Sequence, residues 1–253
     1  MSQTPSRIEQ VPSNFWIPYG GNNSAAKLDF ARGFFPGYGS GIALKGKVGS
    51  DLYFYALTDR GPNGDGPKKA NATGLDIYGG KPLVTISKVF SSPSFAPSIG
   101  VIKVNGSGAF LESSTPILRS PGGSPVSGRP PLPNVSLVLP RAYGFLLGGA
   151  SGEIPLNDAF GPSAHDPDGL DPEALVFDQA RGVLWVSDEY GPFLVKLDVA
   201  TGAVLNKYYP GSGLPPVMAR RRANRGIEGM CLDPDTGNLH GFLQVFTSQR
   251  RRR

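Results

Sequence analysis

Apolar residues along the chain fall in short runs rich in Val, Ile, Leu, Phe and Tyr, each bounded by Gly, Pro, Asp or Asn. Runs of this length and β-branched or aromatic character read as strands, and the bounding residues read as turns. The pattern predicts strands at Gly41–Leu44, Leu52–Thr58, Val84–Val89, Ile99–Val104, Phe110–Ile117, Ala174–Phe177, Val183–Ser187, Leu194–Asp198, Val204–Tyr209, Met230–Leu232 and Leu239–Leu243. Helical periodicity is scarce, so the expected fold class is all-β. Residues 119–140 (RSPGGSPVSGRPPLPNVSLVLP) are too rich in Pro, Gly and Ser for regular structure and are expected to form an extended surface connection. Pro130 and Pro133 also make a PxxP match for an aromatic groove.

Within this pattern lies a repeat. EALVFDQARGVLWV (173–186) and EGMCLDPDTGNLHG (228–241) align without gaps, pairing Glu173 with Glu228, Asp178 with Asp233, Gly182 with Gly237 and Leu184 with Leu239. Each reads as an acidic residue, a strand, an Asp-initiated turn closed by Gly, and a second strand. The spacing is close to that of propeller blades, roughly 40–50 residues. A second echo joins LTDRGP (57–62) to VSDEYGP (186–192), placing Asp59 and Asp188 just past strand ends. In a propeller such positions gather about one axis. The expected architecture is therefore β-propeller-like. Because the visible units are too few to close a ring, the chain reads as the N-terminal portion of a longer, here incomplete, propeller. The expected division is an N-terminal extension over 1–36, the propeller-like domain over 37–246, and a basic tail over 247–253.

Composition sharpens this picture in four places. Although 35 Gly and 25 Pro make the chain loop-rich, 39% hydrophobic and 10% aromatic residues suffice for a core. The single Cys231 forbids an internal disulfide and reads as a small buried hydrophobe. No apolar run is long enough to span a membrane, and the opening MSQTPSRIEQVPSNFW lacks the apolar stretch of a signal peptide. The net charge of +5 owes four charges to Arg250–Arg253, so a uniformly basic nucleic-acid surface is excluded. The charge is instead segregated, with ten acidic and only two basic side chains in residues 151–200.

That acidic block holds the candidate chemistry. HDPDGLDPE (165–173) sets Asp166, Asp168, Asp171 and Glu173 at near-alternate positions, an arrangement that can surround a hard cation with oxygens, although turn chemistry alone selects the same residues. Glu173 is the strongest of these, since the repeat places it at the head of a strand. In WVSDEYGP, Asp188 and Glu189 point to opposite faces of an extended backbone, so one can enter a pocket while the other orients a neighbour. In NRGIEG (224–229), Arg225 and Glu228 flank Gly226, and Arg225 reads equally as an anion binder or as half of an ion pair. With Arg60, it would complete the acid-and-arginine set that metal-assisted phosphoryl chemistry requires. Other chemistries find little support. Ser40 and Ser151 miss the nucleophile-elbow spacing, and two histidines exclude a three-His zinc site. His165 could shuttle protons at the edge of the acidic loop, and His240 reads as a packing residue.

LTDRGPN (57–63), DPEALVFD (171–178), WVSDEYGP (185–192), GLPPVMARRRANRGIEGM (213–230) and the following DPDTGNL resemble, in order and spacing, the esterase-like activity of phytase family, the phytase-like domain proteins. The resemblance runs from about Gly39 to Gln244. It implies a propeller-like hydrolase fold, usually exported, acting on phosphoesters or other esters of small molecules. Similarity to calcium-dependent β-propeller phytases further implies a metal-bridged phosphate site. Its candidate calcium ligands are Asp59, Glu173, Asp188, Glu189 and Glu228. Arg60 and Arg225 are its candidate phosphate binders, and Asp59, Arg60, Glu189 and Arg225 its candidate catalytic residues. Two alternatives stand beside this reading: a non-catalytic scaffold that binds a protein or glycan, and a carboxylester hydrolase that needs no metal.

Overall fold

The fold is taken from a computed structural model, which describes residues 11–66, 69–75, 82–131, 153–220 and 224–244. Pro133, Asn134, Arg221, Arg222 and the basic tail lie outside the described residues. The fold is nearly all β. One short helix, α1 (Ser24–Asp29), is capped by the Asn23 side chain, which accepts from the amides of Ala25 and Ala26.

Among the described residues the strands form four sheets. The first joins β1 (Gly41–Val48), β2 (Asp51–Leu57), β6 (Ser98–Asn105) and β7 (Gly108–Pro116), antiparallel and in that order. The second runs as an antiparallel meander through β9 (Pro172–Asp178), β10 (Val183–Asp188), β11 (Phe193–Asp198) and β12 (Val204–Pro210), with the short β13 (Gly213–Leu214) added at its edge. A third groups β3 (Asn63–Asp65), β4 (Lys69–Leu75), β5 (Pro82–Phe90) and β8 (Glu153–Leu156), in which β5 and β8 run parallel. The hairpin of β14 (Ile227–Leu232) and β15 (Leu239–Leu243) is the fourth. Four-stranded antiparallel sheets are the unit from which propellers are built. Among the described residues the sheets close into no barrel, and a propeller ring is not established.

The core lies between the first two sheets. Along β11 burial alternates strictly, with Phe193, Val195 and Leu197 inside, as the two-residue period of a strand dictates. These side chains join Tyr55 and Leu57 of β2, Ile99 of β6, Leu175 of β9 and Leu184 and Val186 of β10. Strand β9 is central, in contact with β1, β2 and β14.

Both predicted hairpins of the repeat form. Asp178 accepts from the amide of Arg181, Asp233 accepts from the amide of Asp235, and each turn closes on a glycine in the left-handed region, Gly182 at φ 64° and Gly237 at φ 69°. Three expectations need correction. Cys231 and His240, directly opposite each other in the β14–β15 ladder, are both exposed, because among the described residues no sheet covers that face of the hairpin. The stretch around Val126 is not a surface connection. Val126, Ser127 and Gly128 are buried, held by scattered backbone bonds (the Val126 amide to the Ile117 carbonyl at 2.9 Å, the Gly128 amide to the Phe95 carbonyl at 3.2 Å, the Leu170 amide to the Ser127 carbonyl at 3.0 Å) and by Ser127, which donates to Asp166 through both its amide and its hydroxyl. Burial works to raise the Asp166 carboxyl, yet Arg119 and Ser127 hold it down at about 2.

Candidate functional site

Two strand ends and one loop build the site. Asp171 and Glu173 straddle the first residue of β9, two positions apart, so the pleat sends both to one side. Asp59 follows the end of β2. Carboxylate oxygens of Asp59, Asp171 and Glu173 lie within 4.8 Å of one another, with Asp59 exposed, Glu173 half-buried and Asp171 buried. Of the five candidate ligands, the structure brings Asp59 and Glu173 together here, and it adds Asp171 between them.

The neighbouring turn fixes this end of β9. Asp188, fully buried, accepts from the Asp171 amide through Oδ2 and from the Gly191 amide through Oδ1, both at 2.7 Å. The Glu189 amide in turn donates to the Asp171 carbonyl at 2.9 Å. Asp188 is thus engaged with backbone, holding Asp171 in place. The NRGIEG loop then packs onto this turn. A Cβ on Gly226 would stand 2.4 Å from the Asp188 carbonyl oxygen and 2.6 Å from the Glu189 Cα, so only glycine permits the approach. That contact brings Arg225 to Glu189, with Nη1 3.0 Å from Oε1, and sets Glu228 close enough to raise the proton affinity of Glu173.

Arg60 faces inward. Its side chain is 9% exposed, and Nη1 lies 2.8 Å from Glu153 Oε2, 2.9 Å from Asp171 Oδ2 and 3.2 Å from the Tyr190 hydroxyl. Burial disfavours the guanidinium charge, but Asp171, Tyr190 and Glu153 outweigh it and raise the proton affinity of Arg60. Tyr190 donates to the Gly128 carbonyl at 2.8 Å, tying the buried segment beneath the site. Of the two arginines read as phosphate binders, Arg225 has the more accessible side chain, 37% exposed.

The carboxylates repel one another. Burial, then Asp59, Glu228 and Glu189, raise the Glu173 carboxyl to about 8. Burial raises Asp171 far above the ordinary carboxylate range, with Asp59 adding to it and Arg60 opposing. Glu228 is raised by burial and by Glu189. Neither Asp171 carboxylate oxygen accepts a hydrogen bond of good geometry. Oδ2 has the Arg60 guanidinium 2.9 Å away, whereas a buried acceptor left unsatisfied, as Oδ1 is, is costly, and a hard cation satisfies it. The donor set, all carboxylate oxygen, is the kind that calcium or magnesium takes.

A family model described as "Phytase-like: Esterase-like activity of phytase" matches residues 35–251. The chain belongs to the phytase-like family. The matched span contains every residue of the site, and the five motifs that carried the resemblance are all within it. Comparison with curated proteins and with solved structures gives no match.

Sequence reasoning placed Asp171 in the acidic loop but not among the proposed ligands, and it passed over Glu153 and Tyr190. The i, i+2 spacing of Asp171 and Glu173 at a strand head was a usable signal for the first. Nothing local marks Glu153, whose partner Arg60 is 93 residues away.

Proposed function

We propose that this phytase-like protein is a metal-dependent ester hydrolase acting on phosphomonoesters of small molecules. The observation that carries the reading is the cluster of Asp59, Asp171 and Glu173, with the buried Asp171 carboxylate, ion-paired to Arg60 through Oδ2 but accepting no well-aligned hydrogen bond, at its centre. These three side chains would hold the cation, on chemical grounds calcium, since flexible carboxylate sets suit its larger radius and higher coordination number. When bound there, such an ion supplies charge for phosphate oxygens and lowers the pKa of water. Arg225 is the residue for the phosphoryl oxygens, exchanging its contact with Glu189 for a planar, two-pronged one. Glu228, its carboxyl raised by burial and by the adjacent Glu189, is the place in the site for a proton from attacking water, with Glu189 beside it. Arg60 and Asp188 act through others: Arg60 neutralises Asp171 and Glu153, and Asp188 fixes the Asp171 backbone. The family's description supports ester hydrolysis; phosphate, calcium and the propeller ring are the finer parts of the proposal.

The test is hydrolysis of an aryl phosphate and an aryl acetate by chelator-treated protein, with and without added calcium. Calcium-dependent release from the phosphate supports the reading. Chelator-resistant cleavage of the acetate alone transfers the protein to metal-free carboxylester hydrolysis, and neither activity favours the non-catalytic binding scaffold.

A further inference from the structure

A second concavity lies against the first sheet, on a part of the fold the acidic site does not use. It encloses about 340 Å³ between the N-terminal segment, the Ser92–Ser98 loop and the ends of β2, β6 and β7. The segment is fastened there by the antiparallel bridge of Ile17 and Phe34, by the Gly20 amide donating to the Ser91 carbonyl, and by the Ser92 hydroxyl donating to the Pro18 carbonyl. Residues 15–20 of this wall precede the span matched by the family model, so the cavity is partly built from outside it.

Its lining has a distinct chemistry. Hydroxyls converge from separate elements: Tyr38, Thr58, Ser92, Ser98 and Ser114, with Ser94 exposed among them. The rings of Phe15 and Phe95 supply apolar faces. Among the described residues, no carboxylate, ammonium or guanidinium group is part of the lining. The hydroxyls are already oriented. Tyr38 donates to Ser114 Oγ at 2.5 Å, which leaves the Ser114 hydroxyl proton to point elsewhere. Thr58 Oγ1 accepts from the Ser98 amide at 2.8 Å, likewise keeping its proton. Ser92 and Ser98 donate to the backbone carbonyls of Pro18 and Ala96, so their oxygens keep lone pairs for acceptance. The Tyr38 ring lies where a Cβ on Gly100 would come within 2.6 Å of it, so glycine at 100 is what lets the phenol reach the cavity.

We propose that this cavity binds a neutral, polyhydroxylated small molecule of monosaccharide to disaccharide size. Sugar hydroxyls are donors and acceptors at once, which matches a wall offering both kinds of group, and the C–H faces of a sugar ring pack on aromatic rings. The volume is at the lower end for small-molecule pockets, about 300–1,000 Å³. An anionic ligand finds no counter-charge here, which separates this site from the acidic one. Thr58 lines the cavity and the next residue, Asp59, belongs to the carboxylate cluster, so one stretch of backbone serves both.

The experiment uses the full chain with D-glucose, D-mannose and maltose as neutral probes, and glucose 6-phosphate and glucuronate as charged ones. Binding is read by saturation-transfer NMR and by the fluorescence of Trp16, which packs on Phe35 next to Phe15 in the wall. The exposed Ser94 is replaced by Trp to fill the cavity without touching the core. At least one neutral probe is expected to bind saturably, the charged probes at least about tenfold more weakly, and S94W to lose about tenfold or more in affinity with its melting temperature unchanged. Absence of saturable binding by all three neutral probes, equal or tighter binding of the charged ones, or undiminished binding by S94W overturns the proposal.

Discussion

Replacing Glu173 with Gln tests whether the cluster is held together against its own repulsion. In the metal-free protein this carboxyl titrates at about 8, where an ordinary glutamate titrates at 4.5, because burial and then Asp59, Glu228 and Glu189 disfavour its anion. A folded-state pKa above the unfolded one gives a contribution that is fully present below pH 4.5 and lost as pH rises through about 8. Each tenfold change in proton affinity is worth about 1.4 kcal/mol, so a dry site would lose about 5 kcal/mol by pH 9; Glu173 is only half-buried, and solvent screening brings this to roughly 2 kcal/mol. Glutamine is neutral throughout and nearly isosteric. Glu173→Gln in chelator should therefore match wild type at pH 5 and exceed it at pH 9 by roughly 2 kcal/mol, a rise of about 4–8 °C in Tm for a chain of this size. Adding calcium at pH 9 should raise the wild-type Tm and leave that of the variant nearly unmoved. Urea denaturation and thermal melts at the two pH values measure both effects. A variant no more stable than wild type at pH 9 in chelator would refute the repulsion argument.

Two further substitutions probe the supports of the site. Arg60→Met removes the guanidinium shared by the buried Glu153 and Asp171 carboxylates and should cost about 3–5 kcal/mol in urea denaturation; a cost under about 1 kcal/mol contradicts the buried ion-pair role. Gly226→Ala places a methyl where the Asp188 carbonyl stands, 2.4 Å away, and should cost about 1–3 kcal/mol while weakening calcium-dependent phosphatase activity, although no ligand is changed. Full activity in that variant shows that Arg225 and Glu228 need not be held against the Asp188–Glu189 turn.

The strands were legible because each alternating or apolar run is closed by residues that turns select. The observed β10, Val183–Asp188, extends the expected strand by one residue, and β11, Phe193–Asp198, begins one residue earlier than expected. The repeat was legible for the same reason, since Asp178, Gly182, Asp233 and Gly237 serve the turns locally. What the sequence left hidden is set by partners far along the chain. Arg60 and Arg225 look alike in one dimension, but Glu153, reached through the parallel pairing of β5 and β8, draws Arg60 inward. Asp59 and Asp188 occupy echoing contexts, yet only Asp188 meets the amides of Asp171 and Gly191, so it becomes fully buried while Asp59 stays exposed. The burial of the Pro/Gly-rich stretch is not legible locally because its backbone is satisfied by distant partners: the Ile117 and Phe95 carbonyls, the Leu170 amide, and the side chains of Asp166 and Tyr190.

The most direct measurement of the central claim is diffraction from crystals of the protein grown with calcium and, separately, with manganese for its anomalous signal. The account predicts one cation bound by carboxylate oxygens of Asp59, Asp171 and Glu173, at about 2.3–2.6 Å for calcium. A well-occupied cation held by other residues, or none at this cluster while the three side chains keep their places, contradicts it.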